Sequence, residues 1–170
     1  MIMFFSVIVI CQTKEKELTQ AEQFSKRSGT LIERQFISIG KIKEVEVKVL
    51  KIKDLNSEVD DSALRIEYEY RGSSITDTKI AHLDEDEMEG LVKSIKNLQT
   101  SVFGSKRESY TEVSFTSRTG FQAGAYFETL KNKWVAFVQV EKYDSKSIVY
   151  LTPEDFIIFL TLIENAKSQM

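Results

Sequence analysis

A stretch that passes from a strand into a helix occurs twice in this chain, and this internal repeat restricts the fold more than any other feature. Residues 80–97 align with residues 148–165, an offset of 68 residues. Both stretches have a short apolar strand, an acidic segment and an amphipathic helix in the same order. The matching helical positions are Leu91 with Phe159, Val92 with Leu160, Ile95 with Ile163 and Asn97 with Asn165. The repeat therefore predicts a protein built from two similar halves.

The two long helices predicted by the repeat begin with the same chemistry. Asp84 and Thr152 stand at N-cap positions, where a side-chain oxygen accepts a hydrogen bond from an unpaired backbone N–H of the first turn. Three residues later, Glu87 and Asp155 complete a capping box. Pro153 occupies the first helical position, where the missing N–H has no intrahelical partner to lose. Each cap should stabilise its helix by about 1 kcal/mol.

Strands precede each long helix. Residues 64–71 alternate apolar and charged side chains, which is the pattern of a half-buried strand. In residues 35–52 the apolar positions switch parity at Val49 and Leu50, which we interpret as a β-bulge within one long strand region, and Gly40 marks either a turn or a second bulge. Residues 134–140 are apolar on both parities, which predicts a central strand that is covered on both faces.

These patterns predict one α+β domain over residues 12–170, with two similar strand-strand-strand-helix halves at about residues 35–100 and 108–168. The halves form two antiparallel sheets or one continuous sheet, with the two long helices packed on one sheet face. A third capping box, at residues 19–22, predicts a short extra helix near the N-terminus. The order of elements is similar to the two-half saddle of the TATA-binding-protein fold; no sequence motif accompanies this resemblance, so it implies no function.

Residues 1–11 are uncharged and almost entirely apolar, and charged residues begin at Lys14. A run of this length is too short to span a bilayer but matches the apolar region of a secretory signal, with Val9 and Cys11 at the −3 and −1 positions of a cleavage site. We therefore predict that residues 1–11 are a signal segment and that the mature chain, from Gln12, has no transmembrane segment. Two alternatives stay open: a buried first strand, and lipid attachment at Cys11.

Composition and charge exclude two classes of protein. With 42% hydrophobic and 29% charged residues, the chain has the balance of a folded globular protein rather than a disordered one. Its 23 basic and 26 acidic residues give a net charge of −3, which provides no overall attraction to a phosphate backbone. The lysines within residues 41–53 are interrupted by Glu44 and Glu46 and have no aromatic residues among them. This pattern favours a solvated strand face, and we predict no nucleic-acid binding.

No residue pattern predicts a catalytic, metal or cofactor site. The single histidine, His82, stands beside the acidic residues 84–87, but its counterpart in the repeat is Tyr150. We therefore interpret this position as one that takes an amphipathic ring, and the acids as a helix start, where the macrodipole favours negative charge. Residues 118–124 contain two glycines without the spacing of a phosphate loop. We expect no enzymatic activity, no cofactor and no metal ion.

The last predicted helix is apolar nearly all round. Ile157, Ile158 and Leu162 lie outside the apolar stripe that it shares with the first long helix. Such a helix is either buried on two sides or presents a second face to a partner. These three residues are therefore a candidate contact face for a protein partner or for a homodimer.

A second candidate site lies in the strands of the second half, beside the small residues 123–125. Its members are the large aromatic residues Phe121, Tyr126, Phe127, Trp134 and Phe137. They either line an apolar pocket between sheet and helices or belong to the ordinary core.

The sequence thus leads to two hypotheses about function. The first is an exported protein, periplasmic or associated with the cell surface, that is not an enzyme and acts as a binding or structural module through protein contacts. The alternative is a protein that binds a small apolar ligand or lipid in the pocket between sheet and helices.

Overall fold

The computed structural model describes residues 17–73 and 75–170, and the predicted signal segment lies outside these residues. Helix α1 (Gln20–Ser25) precedes two similar halves. The elements of the first half are β1 (Ile32–Ile42), β2 (Val45–Asp54), β3 (Asp60–Arg71), β4 (Thr76–Leu83) and α2 (Glu85–Asn97). A short π-helix, Leu98–Val102, continues α2.

The second half repeats this order. Its elements are β5 (Glu112–Thr116), β6 (Gln122–Glu128), β7 (Lys133–Gln139), β8 (Ile148–Leu151) and α3 (Pro153–Lys167). Within the described residues, each half forms one four-stranded antiparallel sheet: sheet 1 has the order β1-β2-β3-β4 and sheet 2 the order β5-β6-β7-β8. Single 3₁₀ turns, Thr129–Lys131 and Ser145–Ser147, precede β7 and β8. The predicted α+β fold with two similar halves and a short N-terminal helix is confirmed.

Each half has one strand more than the predicted strand-strand-strand-helix order. In the first half this is because residues 35–52 form two strands, separated by a hairpin turn at Lys43. Lys43 has a positive φ of 50°, the left-handed conformation that tight hairpins use. Lysine has no preference for this conformation, so the residue type did not indicate a turn. In the second half β8, which has 4 residues, is the short strand that the repeat predicted before the last helix, so the sequence of this half already indicated four strands.

The parity switch at Val49 and Leu50 is not the β-bulge that the sequence predicted. β2 pairs with β3 in an uninterrupted register across both residues. The register shift of sheet 1 lies in β1, between Ser38 and Gly40, where a second bulge at Gly40 was one of the two predicted alternatives. Val49 and Leu50 point to opposite sides of the sheet, and both are buried because each side has its own cover.

Both long helices pack on the same side of the two sheets, which we call the inner face; the opposite side is the outer face. α2 contacts β3, β4, β5 and β6, and α3 contacts β1, β2, β3, β7 and β8. One apolar core therefore joins the two halves. Its largest fully buried side chains are Leu64, Ile66, Leu83, Met88, Leu91, Ile95, Phe121, Phe127, Phe156, Phe159 and Ile163.

Each half binds the helix start of the other half. Arg118, in the turn between β5 and β6, donates hydrogen bonds to Asp84 (2.7 Å) and Asp86 (2.8 Å) at the start of α2. Lys43, in the turn between β1 and β2, lies 3.1 Å from the carboxylate of Asp155 at the start of α3. Because equivalent turns contact equivalent helix starts, the halves are related by an approximate twofold axis.

The strand registers show which positions correspond in the two sheets. Leu64 pairs with Leu83 at the end of β4, and Ala136 pairs with Leu151 at the end of β8. We take these two pairs as equivalent and step from them along each strand and across each ladder. Every position reached in sheet 1 then corresponds to the position reached by the same steps in sheet 2. The corresponding outer-face positions are Lys48 with Gly124, Leu50 with Tyr126, Ala63 with Val135, Arg65 with Phe137 and His82 with Tyr150.

Candidate functional site

The outer face of sheet 2 carries a cluster of aromatic and apolar side chains that we call the tyrosine face. Along β6, β7 and β8, alternate residues point to opposite sides of the sheet, and the other parity lies in the core. The tyrosine face consists of Tyr110, Tyr126, Val135, Phe137 and Tyr150. Tyr110 is 64% and Tyr150 is 55% exposed, so the cluster is open to solvent.

The rings of the tyrosine face contact one another. Tyr110 and Tyr126 are stacked with ring centroids 6.0 Å apart, and Tyr126 and Tyr150 meet edge to face at 6.4 Å. Phe137 lies between Gly124 and Tyr150 in the ladder, is only 7% exposed and forms the floor of the cluster. Aromatic pairs of this kind contribute about 0.5–1.5 kcal/mol each. The rings therefore form one supported surface rather than a set of independent side chains.

Gly124 brings β5 unusually close to β6 beside the tyrosine face. A Cβ atom on residue 124 would lie 2.8 Å from the Cα of Ser114, closer than real Cβ contacts. No side chain fits between the two strands at this point, which is a recognised use of glycine inside a strand.

The five members of the tyrosine face are uncharged, but Glu112 of β5 pairs with Tyr126 and places a carboxylate beside them on the same side of the sheet. Burial raises the pKa of Tyr126, and a hydrogen bond to Glu112 (3.0 Å), followed by burial, raises the pKa of Tyr110. Both phenols therefore stay protonated at neutral pH. Protonated tyrosines offer apolar area and an O–H group, which suits binding rather than proton transfer.

The corresponding positions of sheet 1 carry charged side chains that pair with one another. Lys48 Nζ lies 2.8 Å from Glu67, which also contacts Arg65. Arg65 Nη1 lies 3.0 Å from Nε2 of His82, and His82 Nδ1 lies 3.2 Å from Glu22 of α1. Since arginine only donates, His82 accepts at Nε2 and donates from Nδ1 to Glu22. The single histidine thus links α1 to sheet 1.

Helix α1 covers the apolar part of this outer face. The buried cluster beneath and within α1 consists of Ala21, Phe24, Leu50, Ile52 and Ala63. Leu50 and Ala63 correspond to Tyr126 and Val135 of sheet 2, where the described part of the chain provides no such cover. At these positions the surface is therefore covered in one half and exposed in the other; at the edge of sheet 1, Phe36 stays 50% exposed beside Arg65.

Asp84 anchors α1 to the start of α2. Its carboxylate accepts hydrogen bonds from the backbone N–H groups of Gln20 (2.9 Å) and Ala21 (3.4 Å), two of the unpaired donors of α1. The hydrogen bonds between Arg118 and Asp86 raise the pKa of Arg118 and lower the pKa of Asp86. These acids are engaged in structural contacts, and among residues 17–73 and 75–170 no group of three or more potential ligands has the geometry of a metal site.

The five aromatic residues proposed to line a pocket lie on both sides of sheet 2. Phe121, Phe127 and Trp134 belong to the core on the inner face, where Phe127 and Trp134 meet edge to face at 5.4 Å. Tyr126 and Phe137 lie on the outer face. The sheet separates the two groups, so the five residues do not line one pocket.

One of the three residues proposed as a contact face on α3 packs inside the domain. Leu162 Cδ2 lies 2.7 Å from the position that a Cβ of residue 40 would occupy, so it fills the space that Gly40 leaves in β1. Ile157 and Ile158 are 54% and 48% exposed. The candidate contact face therefore reduces to these two isoleucines.

Three members of the tyrosine face were not predicted as site residues: Tyr110, Val135 and Tyr150. Tyr150 entered the sequence argument only as the counterpart of His82. That pairing was the available signal, since it matches a charged or polar position in one half with an aromatic one in the other.

Comparisons with known proteins assign no family or function to the chain. No protein-family model, curated protein or solved structure matches the chain. Within the part of the chain that the structure describes, no helix is long and apolar enough to cross a membrane.

Proposed function

We propose that this protein is an exported, non-enzymatic binding module that recognises a partner protein with the tyrosine face. One observation carries the proposal: α1 and paired charges cover much of the outer face of sheet 1, whereas the corresponding positions of sheet 2 form a connected aromatic cluster that is exposed. Covering apolar surface stabilises a fold by about 25 cal/mol per Å². A contiguous aromatic surface that stays open therefore favours binding.

The chemistry of the tyrosine face favours a protein as the partner. Tyrosine is enriched at the centres of protein interfaces because it supplies a large contact area with few rotatable bonds. Its phenol group also adds a hydrogen bond at the rim of an otherwise apolar contact. The carboxylate of Glu112, beside Tyr110 and Tyr126, disfavours the phosphates of nucleic acids and lipid headgroups.

Helix α1 indicates what kind of segment fits this surface. It has 6 residues, lies on β2 and β3, and presents Ala21 and Phe24 to the sheet. The corresponding strands of sheet 2 are β6 and β7. A partner segment with a small and a large apolar residue one helical turn apart would cover Tyr126 and Val135 in the same way.

Photocrosslinking in the native host tests this proposal. A photoreactive residue in place of Tyr150 should give a discrete adduct with a partner protein. The same residue in place of Tyr143, which is 90% exposed and lies outside the tyrosine face, is the matched control and should give none. Added wild-type protein should compete with adduct formation, whereas Tyr126→Ser protein should not. Equal adducts from both sites, or equal competition by both proteins, would contradict the proposal.

Export is tested by the intact mass of the protein recovered outside the cytoplasm. The mature chain should begin at Gln12, because cleavage is expected after Cys11. Ile8→Lys, which places a charge in the apolar run, should leave full-length protein in the cytoplasm, whereas Lys16→Gln should be exported normally. Exported protein that retains residues 1–11 would show that this segment is not a cleaved signal.

A further inference from the structure

Strand β5 leaves one edge of sheet 2 unpaired. The backbone groups of Thr111 and Ser117 form hydrogen bonds with the β6 side of the hairpin. In an antiparallel ladder every second residue bonds to the same neighbouring strand, so the backbone groups of Val113 and Phe115 also point towards β6. The residues whose backbone groups point away from β6 are Glu112, Ser114 and Thr116. None of the described residues forms a hydrogen bond with these outward groups.

The other three edge strands are protected against pairing. β1 has a register shift next to Ser38, and β4 carries Lys79, which forms ion pairs with the second half. In β8 the carbonyl oxygen of Tyr150 accepts a hydrogen bond from Lys43 (2.6 Å). Bulges, lysines and covering contacts are the usual means by which proteins block strand edges. β5 pairs with β6 without a register shift, contains no lysine, and has Glu112 as its only charged residue.

A groove of about 140 Å³ lies on the inner side of β5, beside the end of α2. Its apolar lining consists of Leu98, Val102, Val113 and Phe115, and Ser94, Asn97 and Ser114 complete it. Val113 is 38% exposed. The free edge therefore has an apolar space directly next to it.

The repeat explains why this groove exists. Gly90 and Ser94 of α2 correspond to Ile158 and Leu162 of α3. Leu162 packs on Gly40 and closes the space beside β1. The ring of Phe115 packs on Gly90 of α2, where a Cβ would lie 3.3 Å from Cε2 of the ring, and the groove is the space that remains beside Ser94.

We propose that β5 pairs in antiparallel orientation with β5 of a second copy of this chain, about a twofold axis at Ser114. In this register Ser114 pairs with itself and Glu112 pairs with Thr116 of the second copy, so the outward backbone groups are all bonded and no like charges meet. Val113 pairs with Phe115 of the second copy on the groove side, an aromatic and β-branched pair that favours sheets. This self-complementarity favours a second copy over a foreign strand.

The dimer proposal goes beyond the tyrosine face, because it uses a different surface and a different partner. The two copies of sheet 2, four strands each, would form one continuous sheet with both tyrosine faces on the same side. A dimer would therefore present two binding surfaces, which raises the avidity for a partner that has two sites.

Analytical ultracentrifugation of the full chain tests the dimer, with a reductant present to exclude a Cys11 disulfide. The wild-type protein should sediment at twice its 19.6 kDa mass in a concentration-dependent manner. Ser114→Pro removes an outward N–H from each copy and should weaken association by about tenfold or more. A wild-type protein that is monomeric at every concentration would overturn the proposal.

Val113→Lys is a second variant that leaves the backbone groups in place. It sets a charge opposite Phe115 of the second copy and should dissociate the dimer. Val59→Lys is the matched control, because Val59 is 47% exposed and lies between β2 and β3, away from sheet 2. A dimer that survives Val113→Lys, or that Ile158→Asp dissociates instead, would show that β5 is not the interface. Neither result bears on photocrosslinking at Tyr150.

Discussion

The outer faces of the two sheets share one strand arrangement and differ in their side chains. Sheet 1 has Lys48, Arg65 and His82 where sheet 2 has Gly124, Phe137 and Tyr150. The charged set forms an ion-paired network under α1, and the aromatic set stays open. The inner faces of both sheets form the shared core. The outer face of sheet 1 contributes to stability through its contacts with α1, whereas the outer face of sheet 2 remains available for binding.

The edge strands β1 and β5 also differ in this way: the space beside the first is filled and the space beside the second is not. Leu162 of α3 closes the space beside β1, whereas a groove remains beside β5 next to Ser94 of α2. Part of the extra apolar surface of the last helix therefore serves the first half of the domain. Both open features, the tyrosine face and the β5 edge, belong to the second half.

Removing the cover of sheet 1 should have the largest effect on stability. Phe24 is 6% exposed and packs on Leu50 and Ile52, so Phe24→Ala should lower the free energy of unfolding by about 3 kcal/mol. Tyr150→Ala, on the open face, should lower it by about 1 kcal/mol or less, because only ring contacts are lost. Urea denaturation measures both values. Similar losses would mean that the two outer faces contribute equally to stability.

A side chain at Gly124 should have the next largest effect. Gly124→Ala places a Cβ against Ser114 of β5 and should destabilise the protein by about 2 kcal/mol through overpacking. Lys48→Ala at the corresponding position removes the ion pairs to Glu67 and Glu46 and should cost about 1 kcal/mol or less. Thermal unfolding of the two variants gives the comparison. If Gly124→Ala is neutral, β5 is not held close to β6.

The halves and helix starts were predictable because their signals are local. α2 begins directly after Asp84 and α3 directly after Thr152, each with its capping box, as the sequence indicated. A cap involves residues within one turn, so no tertiary information is needed. The reciprocal contacts of Arg118 and Lys43 with these starts join distant segments and had no signal in the sequence.

The difference between the outer faces was not predictable because the repeat does not keep one offset through the strands. His82 and Tyr150 are 68 residues apart, whereas Lys48 and Gly124 are 76 apart. The hairpins of the second half are shorter, so a fixed offset matches the wrong residues. The sequence also did not show which parity of β6 faces the helices, and the proposed pocket therefore combined residues from both faces.

Lowering the pH should destabilise sheet 1 more than sheet 2, by less than the two substitutions above. Burial alone would raise the pKa of Glu67, but hydrogen bonds from Lys48 and Arg65 outweigh burial and hold this pKa below its ordinary 4.5. A carboxyl group with a lowered folded pKa stabilises the fold above its unfolded pKa and loses that contribution as the pH falls through the folded value. Lowering the pH from about 5 to about 3 should therefore reduce the protection of β3 amides, measured relative to their intrinsic exchange rates at each pH, before that of β7 amides.

The position that corresponds to Glu67 in sheet 2 is Gln139, which supplies the control for this prediction. Glu67→Gln gives sheet 1 the neutral side chain that sheet 2 already has. The variant should be less stable than wild type at pH 7, and the difference should shrink as the pH falls, because wild-type Glu67 is then protonated as well. If β3 and β7 of the wild-type protein respond alike to acid, the charges on sheet 1 do not help to close its outer face, and α1 alone accounts for the difference between the sheets.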